Sequence, residues 1–476
     1  MNIKEQFGKA PSYLVCFVLL TVPIIFGAVH PIVYASYSAI VLLGLGSFLC
    51  FAYPFPEQKT SLIPRLWLLP LLLILFFCVF QSVPLPLSWI EVLSPARAER
   101  VAMVNTLAQT SQTFVTLSEH GQLSLPPTIL LFSLIIYYCT LRMLLLREDK
   151  FFRILYLIII IVGVFEALYG LFQFLSPRIG ILWLPLTGGR ASHGTIIYKN
   201  QYASLLNMCW PLTLAAASVH LQNFLEPGPT NSRKKSTKER IRRMDERAKY
   251  APLFFLATGI MLLAVLFSLS RGGMIAMLLV MILLNFYLPV SRKAKLIFVG
   301  LFVFFISAYG ALLGLDTVIS RFDTIGQSGA TRLETYLASI PMLMDHTLSG
   351  IGFGSYSLLS PVYLKEFPPN IHWDKVHNEY IQLTIELGIP VAAVLFVWLA
   401  AAMSRAGVKL FRIVTSRIEK LDASVIVAGG AFCGLMGFFV HGIADFGWRL
   451  PANLFYAVTL AALVSYGLDK GSKYDS

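Results

Sequence analysis

Apolar stretches about as long as a bilayer is thick recur along this chain from residue 13 to residue 468, with no soluble-looking stretch of domain size between them. A helix crosses the hydrocarbon core in about 20 residues. In lipid every backbone polar group must be satisfied within the protein, so repeated blocks of that length dictate a helical bundle. The blocks sit near 13–29, 32–53, 62–81, 127–146, 151–176, 202–221, 251–269, 273–290, 296–315, 379–402, 422–440 and 451–468. They predict an all-α polytopic membrane protein with about twelve transmembrane helices. Composition agrees, with 57% hydrophobic and 13% charged residues over 476 positions and a mean hydropathy of +0.71. A single membrane domain over 1–476 is a simpler count than the roughly two or three soluble domains this length would otherwise suggest.

A net charge of +13 could point to nucleic acid, but the basic residues lie in short runs between apolar blocks. There they orient helices, so membrane lipids and not nucleic acid are the expected surroundings. The runs at 233–249, 292–295 and 405–420, the short stretch 147–153, and Lys4, Lys9, Lys470 and Lys473 all fall on one side if every block spans. That side is expected to be cytoplasmic, with 222–250 as a basic cytoplasmic loop. The lysines ahead of the first apolar run could imitate a signal peptide, but no convincing cleavage site follows before His30, so that run is expected to stay as the first helix. The opposite side receives 82–126, 177–201 and 316–378, all rich in Pro, Gly, His and aromatic residues. The last of these, between spans 9 and 10, is about sixty residues long, more than a connector needs. His30, His120, His193, His346, His372, His377 and His441 map outside or at the outer boundary, and only His220 inside. The six cysteines stand singly in apolar stretches without metal spacing, so no metal or other cofactor is expected.

Four constellations on the outer side carry chemistry. Ser270-Arg271-Gly272-Gly273 interrupts two apolar blocks with almost no loop. Arg271 can anchor at the interface. Alternatively, glycine N–H groups at a helix start beside a guanidinium form a phosphate cradle, for which a diphosphate is the natural guest. Within 316–378 stand Arg321, Arg332 and Gly350-Ile351-Gly352-Phe353-Gly354; no strand precedes these glycines, so they are read as close packing and not as a dinucleotide loop. The apolar spacing over 333–343 predicts an amphipathic helix with Arg332 at its start. In 376–390, Glu379, Gln382 and Glu386 are spaced i, i+3, i+7 and share a helix face. Glu386 lies roughly 10 Å deeper than Glu379 at 1.5 Å per residue, where a carboxylate needs a partner. Pro390 also denies the Glu386 carbonyl its helical donor. His377 stands where this helix leaves the membrane, and histidine is the side-chain type whose chemistry suits proton transfer at neutral pH. Last, 441–453 joins the final two spans, and Asp445 and Arg449 at i, i+4 are expected to pair.

These segments resemble the bacterial O-antigen ligase and O-antigen polymerase superfamily of membrane glycosyltransferases. Residues 270–273 look like its Ser-Arg-Gly-Gly segment, 332–354 like its Arg-containing loop ending in Gly-x-Gly, and 377–388 like its His-Asn…Glu-x-Gly stretch. Val83-Pro84-Leu85-Pro86, Leu93-Ser94-Pro95 and 441–453 also recur in the broad branch of that superfamily. One departure is Tyr198, which stands in Gly194-Thr195-Ile196-Ile197-Tyr198-Lys199-Asn200 where the family motif has Asn.

The resemblance implies an inverting, metal-independent transfer of a glycan from undecaprenyl diphosphate to an acceptor hydroxyl at the periplasmic face of the inner membrane. The acceptor would be lipid A core or a growing polysaccharide. Under it Arg271, Arg332 and His377 are catalytic: the arginines hold the diphosphate and His377 orients or deprotonates the acceptor. Arg190, Lys199, Asn200, Glu379 and Glu386 are candidate substrate-binding residues. A protein O-oligosaccharyltransferase would share the donor chemistry. A transporter or flippase would share the helix count and an intramembrane Glu386, but the two halves show no matching discontinuous helices and the charges crowd one interface.

Overall fold

The computed structural model describes residues 3–51, 65–185, 191–225, 250–289, 300, 325–365, 373–416 and 421–472. Arg190, Arg321, His372, the basic stretch 226–249 and all but one residue of the expected span 296–315 lie outside the described residues.

Helix α1 (Ile3–Thr21) precedes α2 (Pro31–Ile40), which runs through a π turn, Val41–Leu45, into α3 (Gly46–Phe51). Helix α4 (Arg65–Ser82) leads into a small folded cap: β1 (Pro84–Pro86), α5 (Leu87–Leu93), α6 (Pro95–Leu107) and β2 (Phe114–Thr116). Two long helices follow, α7 (Gly121–Arg147) and α8 (Asp149–Leu175), then α9 (Lys199–Leu225), α10 (Ala251–Phe267) and α11 (Arg271–Tyr287). The described chain continues with α12 (Ile325–Asp345), α13 (Tyr356–Tyr363), α14 (Glu379–Leu387), α15 (Ile389–Ser416), α16 (Ala423–His441) and α17 (Pro451–Ser472).

Six described helices are long and apolar enough to cross a membrane: Pro31–Leu49, α7, α8, α15, α16 and α17. Lys9–Thr21, Leu68–Ser82, α10 and α11 are shorter apolar helices. The pattern of burial is that of a protein dissolved in lipid. Val394 and Val397 on α15 and Ile161, Phe165 and Phe172 on α8 are exposed, whereas Gln81, Glu166, Asn207, Thr213 and Asn453 are buried. Apolar outer faces gain nothing by hiding from lipid, while polar side chains must find partners inside. The chain is a multi-pass membrane protein.

Helix α9 is the axis, with every residue from 201 to 218 buried and α8, α10, α11, α16 and α17 packed around it. Small residues permit this. A Cβ at Gly430 of α16 would stand 2.8 Å from the Pro211 carbonyl, and one at Gly434 would stand 3.0 Å from that of Met208. This is the small-xxx-small contact that lets membrane helices approach closely. Asn207 fixes the depth of α11 by donating to the Gly273 carbonyl at 2.8 Å and accepting from Trp210 Nε1 at 3.0 Å. The opposite end of the bundle is tied by Arg142 to Asp469, and by Lys470 and the Tyr466 hydroxyl to Asp149.

The 82–126 connection, expected as a loop, is folded. Leu85 pairs with Val115 across β1 and β2, and Ile90, Val101 and Leu117 close a small core with them. The cap is fastened to the glycine loop 350–354. The Glu119 N–H donates to Ile351 O at 2.8 Å, and Ser118 leaves no room for a Cβ on Gly352. Behind this joint His346 is buried between Ser94, Arg100 and Glu119. A guanidinium can only donate, so the Arg100 contact at 2.6 Å makes His346 Nε2 the acceptor and leaves Nδ1–H for Ser94 Oγ at 3.0 Å.

Burial pushes the His346 pKa down to about 4; Glu119 opposes this, and Arg100, Asp345 and Arg97 also bear on it. A folded pKa below the unfolded value of about 6.5 means that the proton prefers the unfolded chain. The stabilisation is complete above pH about 6.5 and is lost as pH falls toward 4. Hydrogen-exchange protection at 118–120 and 350–352 is therefore expected to fall across that window in the native protein. It should be nearly flat in His346→Gln, which gains no proton; equal pH dependence in both would contradict the assignment.

Candidate functional site

The site is built where α14 begins. Asn378 caps this helix, its Oδ1 accepting from the N–H groups of Tyr380 and Ile381 at 3.0 and 3.1 Å. One residue earlier His377 has φ +63°, a left-handed backbone unusual for a bulky residue and of the kind that surrounding structure must enforce. Two contacts enforce it. The Tyr336 hydroxyl of α12 donates to His377 O at 3.0 Å, and the Phe446 ring stands edge-on to the imidazole at 4.9 Å between centroids. Arg332 lies one helical turn before Tyr336, so the two share a face of α12, the helix expected over 333–343.

Behind His377 lies Asp445, in the turn between α16 and α17. His377 Nδ1 is 3.7 Å from Asp445 Oδ1, and His441 Nε2 is 4.0 Å from Asp445 Oδ2. Burial alone would raise the Asp445 pKa, but His377 foremost, then His441 and the Phe446 backbone N–H, outweigh it and hold the carboxyl below its usual range. With Nδ1 turned inward to Asp445, Nε2 is the nitrogen left for a substrate proton. His441 in turn abuts the start of α11: a Cβ on Gly272 would stand 2.8 Å from His441 Cδ2 and 2.9 Å from its Nε2. Arg332 acts electrostatically on the same ring. The three segments singled out by sequence, around Arg271, Arg332 and His377, thus meet around His441 and Asp445.

The Ser-Arg-Gly-Gly segment differs in detail from a free phosphate cradle. Ser270 is the N-cap of α11 and its Oγ accepts from Gly273 N–H at 3.2 Å, so that donor is taken within the protein. Gly272 owes its missing side chain to the His441 ring, and Gly273 to Ala203 of α9. Arg271 is half-buried at the first position of α11.

Glu379 and Glu386 are both fully buried, and their partner is Arg449. Arg449 Nε is 3.0 Å from Glu379 Oε2, and Nη1 is 2.8 Å from Glu386 Oε2. Trp448 N–H donates to Glu379 at 3.0 Å, while Gln382 Nε2 and Gly354 N–H donate to Glu386 at 3.1 and 3.0 Å. The expected Asp445–Arg449 pair is replaced by this arrangement, because two buried carboxylates on one helix face compete for the guanidinium more strongly than one. Asp445 goes to the histidines instead. The Glu386 carbonyl, deprived of a helical donor by Pro390, accepts from Gly352 N–H at 3.1 Å and Gln81 Nε2 at 2.9 Å. Gly350, Gly352, Gly354 and Gly388 all have positive φ, so the loop can pass along α14 closely enough to make these bonds.

Lys199 and Asn200 open α9 near the same centre. The Tyr198 ring stands edge-on to Phe446 at 5.3 Å, and Phe446 contacts His377, so the Tyr198 departure is an aromatic contact two rings from the imidazole. The turn before it is pinned by Glu166, which accepts from Thr195 N–H at 2.8 Å and Oγ1 at 2.6 Å. Sequence reasoning did not place His441 or Asp445 in the site, nor assign Arg449 to the glutamates. Two acids at membrane depth demand a cation, but nothing local in the sequence singles out Arg449 from the other outer-side arginines as that cation.

Arg449→Ala leaves two buried carboxylates unpaired and is expected to cost about 3–5 kcal/mol of stability. Replacing all three groups, as Glu379→Gln, Glu386→Gln and Arg449→Met, is expected to recover most of it. Melting temperatures in detergent check this; an unchanged value for Arg449→Ala would contradict the pairing.

Residues 256–396 match the family model described as O-antigen ligase. The matched segment holds Arg271, Arg332, His377, Glu379 and Glu386, whereas His441, Asp445 and Arg449 lie beyond it. No curated protein matches the chain. Over residues 256–396, this match supports membership of the O-antigen ligase/polymerase superfamily for this membrane protein.

Proposed function

We propose that this protein transfers a glycan from undecaprenyl diphosphate to an acceptor hydroxyl, on lipid A core or on a growing polysaccharide, as an inverting glycosyltransferase. The observation that carries the reading is the convergence of Arg332, through Tyr336, and of Arg271–Gly272, through His441, on His377 and Asp445. An anionic leaving group and an acceptor proton are the two demands of this reaction. Arg271 and Arg332 meet the first, holding the diphosphate and the charge that grows on it as the sugar–oxygen bond breaks. His377 meets the second: Nε2 takes the hydroxyl proton while the acceptor oxygen attacks the anomeric carbon from the face opposite the diphosphate. A single displacement of this kind inverts the carbon, and the arginines supply the charge compensation in place of a metal ion.

Lys199, Asn200 and Arg190 are assigned to the donor's headgroup and first sugars, and Glu379 and Glu386 to holding the segment that presents His377. The grouping of basic runs supports about twelve spans in the inner membrane, with 222–250 in the cytoplasm and 82–126 and 316–378 on the periplasmic side. The reaction is accordingly placed at the periplasmic face.

Purified protein given a lipid-diphosphate glycan and either lipid A core or a free glycan as acceptor tests the reading, the product naming ligase or polymerase. His377→Ala is expected to lower the rate by about 10²–10⁴-fold. Arg271→Ala and Arg332→Ala are expected to lower it at least about 100-fold at normal membrane levels. Near wild-type transfer by both arginine variants would overturn it.

A further inference from the structure

Five polar atoms at the centre of the site are buried and have no partner in good hydrogen-bond geometry: His377 Nδ1, both Asp445 oxygens and both His441 ring nitrogens. Buried polar groups are nearly always paired, so a chain of unpaired ones requires a reason. Their order in space is His377, Asp445, His441, with separations of 3.7 and 4.0 Å. Each gap exceeds a hydrogen bond by roughly an ångström, the looseness often found in catalytic contacts before substrate tightens them. Among the described residues no group of three or more His, Cys, Asp or Glu side chains is placed to hold a metal ion, so the arrangement is not read as a ligand set.

His441 has no other evident structural work. Its ring is 3% exposed, it closes the last turn of α16, and the wall it leans on is a glycine. A hydrophobic side chain would fill that volume without leaving two ring nitrogens unpaired. What an imidazole adds is a donor aimed at the far oxygen of Asp445.

We propose that His441 is a positioning residue for the acceptor base, an inference that rests on the glycosyl-transfer reading of the site. Neutral His441 gives Nε2–H to Asp445 Oδ2 as the site closes on substrate. The carboxylate is thereby held with Oδ1 on His377, which fixes the tautomer with hydrogen on Nδ1. The Nε2 lone pair then faces the acceptor hydroxyl. When Nε2 takes that proton, the imidazolium is balanced by Asp445 and not left bare in a low-dielectric pocket. Gly272 belongs to the same device: its missing Cβ is the space in which the His441 ring reaches Asp445. This links the second residue of the Arg271–Gly272 pair to the base and not only to the diphosphate.

Two readouts, one independent of activity, test this in the full-length protein in detergent. The first is the ¹⁵N spectrum of histidine-labelled protein, which reports the His377 tautomer without any substrate. Wild type is expected to show hydrogen on Nδ1, and His441→Leu a mixture or hydrogen on Nε2. His441→Gln, whose side-chain amide can donate from near the same place, should restore the wild-type signal. The second is glycan transfer: His441→Leu is expected to lose about tenfold or more in kcat with donor KM within about twofold, and His441→Gln to recover part of it. Because His441→Leu removes unpaired buried atoms, its melting temperature should equal or exceed wild type. A wild-type tautomer in His441→Leu would overturn the proposal, as would unchanged kcat or a melting temperature reduced alike in both variants. Absence of transfer by wild type would instead count against the glycosyl-transfer reading, and the tautomer result would still decide the role of His441.

Discussion

One guanidinium, Arg449, sits between two carboxylates seven residues apart on α14, and this end of the bundle is referenced to it. Either glutamate alone at that depth would be intolerably exposed to a low dielectric, and Arg449 alone would be no better. Together they join the α16–α17 turn to the helix that His377 precedes. Trp448 and Gly354 add N–H donors, so the turn and the glycine loop are fixed by the same carboxylates. Because this pairing takes Arg449, Asp445 four residues earlier is left for the histidines. A scaffold requirement thus sets up the chemical one.

Backbone satisfaction in lipid explains the next layer. Pro390 and Gly388 break the helix below Glu386, freeing a carbonyl that water cannot reach. Gly352 and Gln81 close on it, one from the glycine loop and one from the end of α4. Gln81 also donates to Ser349 O at 2.7 Å and accepts from Phe353 N–H at 3.1 Å. The cap over 82–126 then locks the other side of the loop through Glu119. A break in one helix therefore becomes the point at which α4 and the cap that follows it meet the glycine loop and α14.

The sequence made much of this legible and hid some of it for physical reasons. The bundle was readable because bilayer length and helix rise leave few alternatives for a 20-residue apolar block. Glu379, Gln382 and Glu386 were readable as one face because helical periodicity is local. The partner of the glutamates was not, since it lies more than sixty residues on, and the local i, i+4 pairing of Asp445 with Arg449 was a plausible but incorrect substitute. The fold of the 82–126 cap was hidden by its short elements, three residues to a strand, which give no period to detect. The second glycine of 270–273 looked like phosphate chemistry; its N–H is in fact occupied by Ser270, and the first glycine makes room for a histidine almost 170 residues away.

Arg271, Arg332 and His377 are proposed to address one bound molecule. The structure of the protein with a non-transferable lipid-diphosphate glycan tests this most directly. Both phosphorus atoms are expected within contact of the Arg271 and Arg332 guanidiniums, with the anomeric carbon on the Nε2 side of His377. A diphosphate bound away from either arginine, or an anomeric carbon beyond reach of an acceptor held by His377, would contradict it.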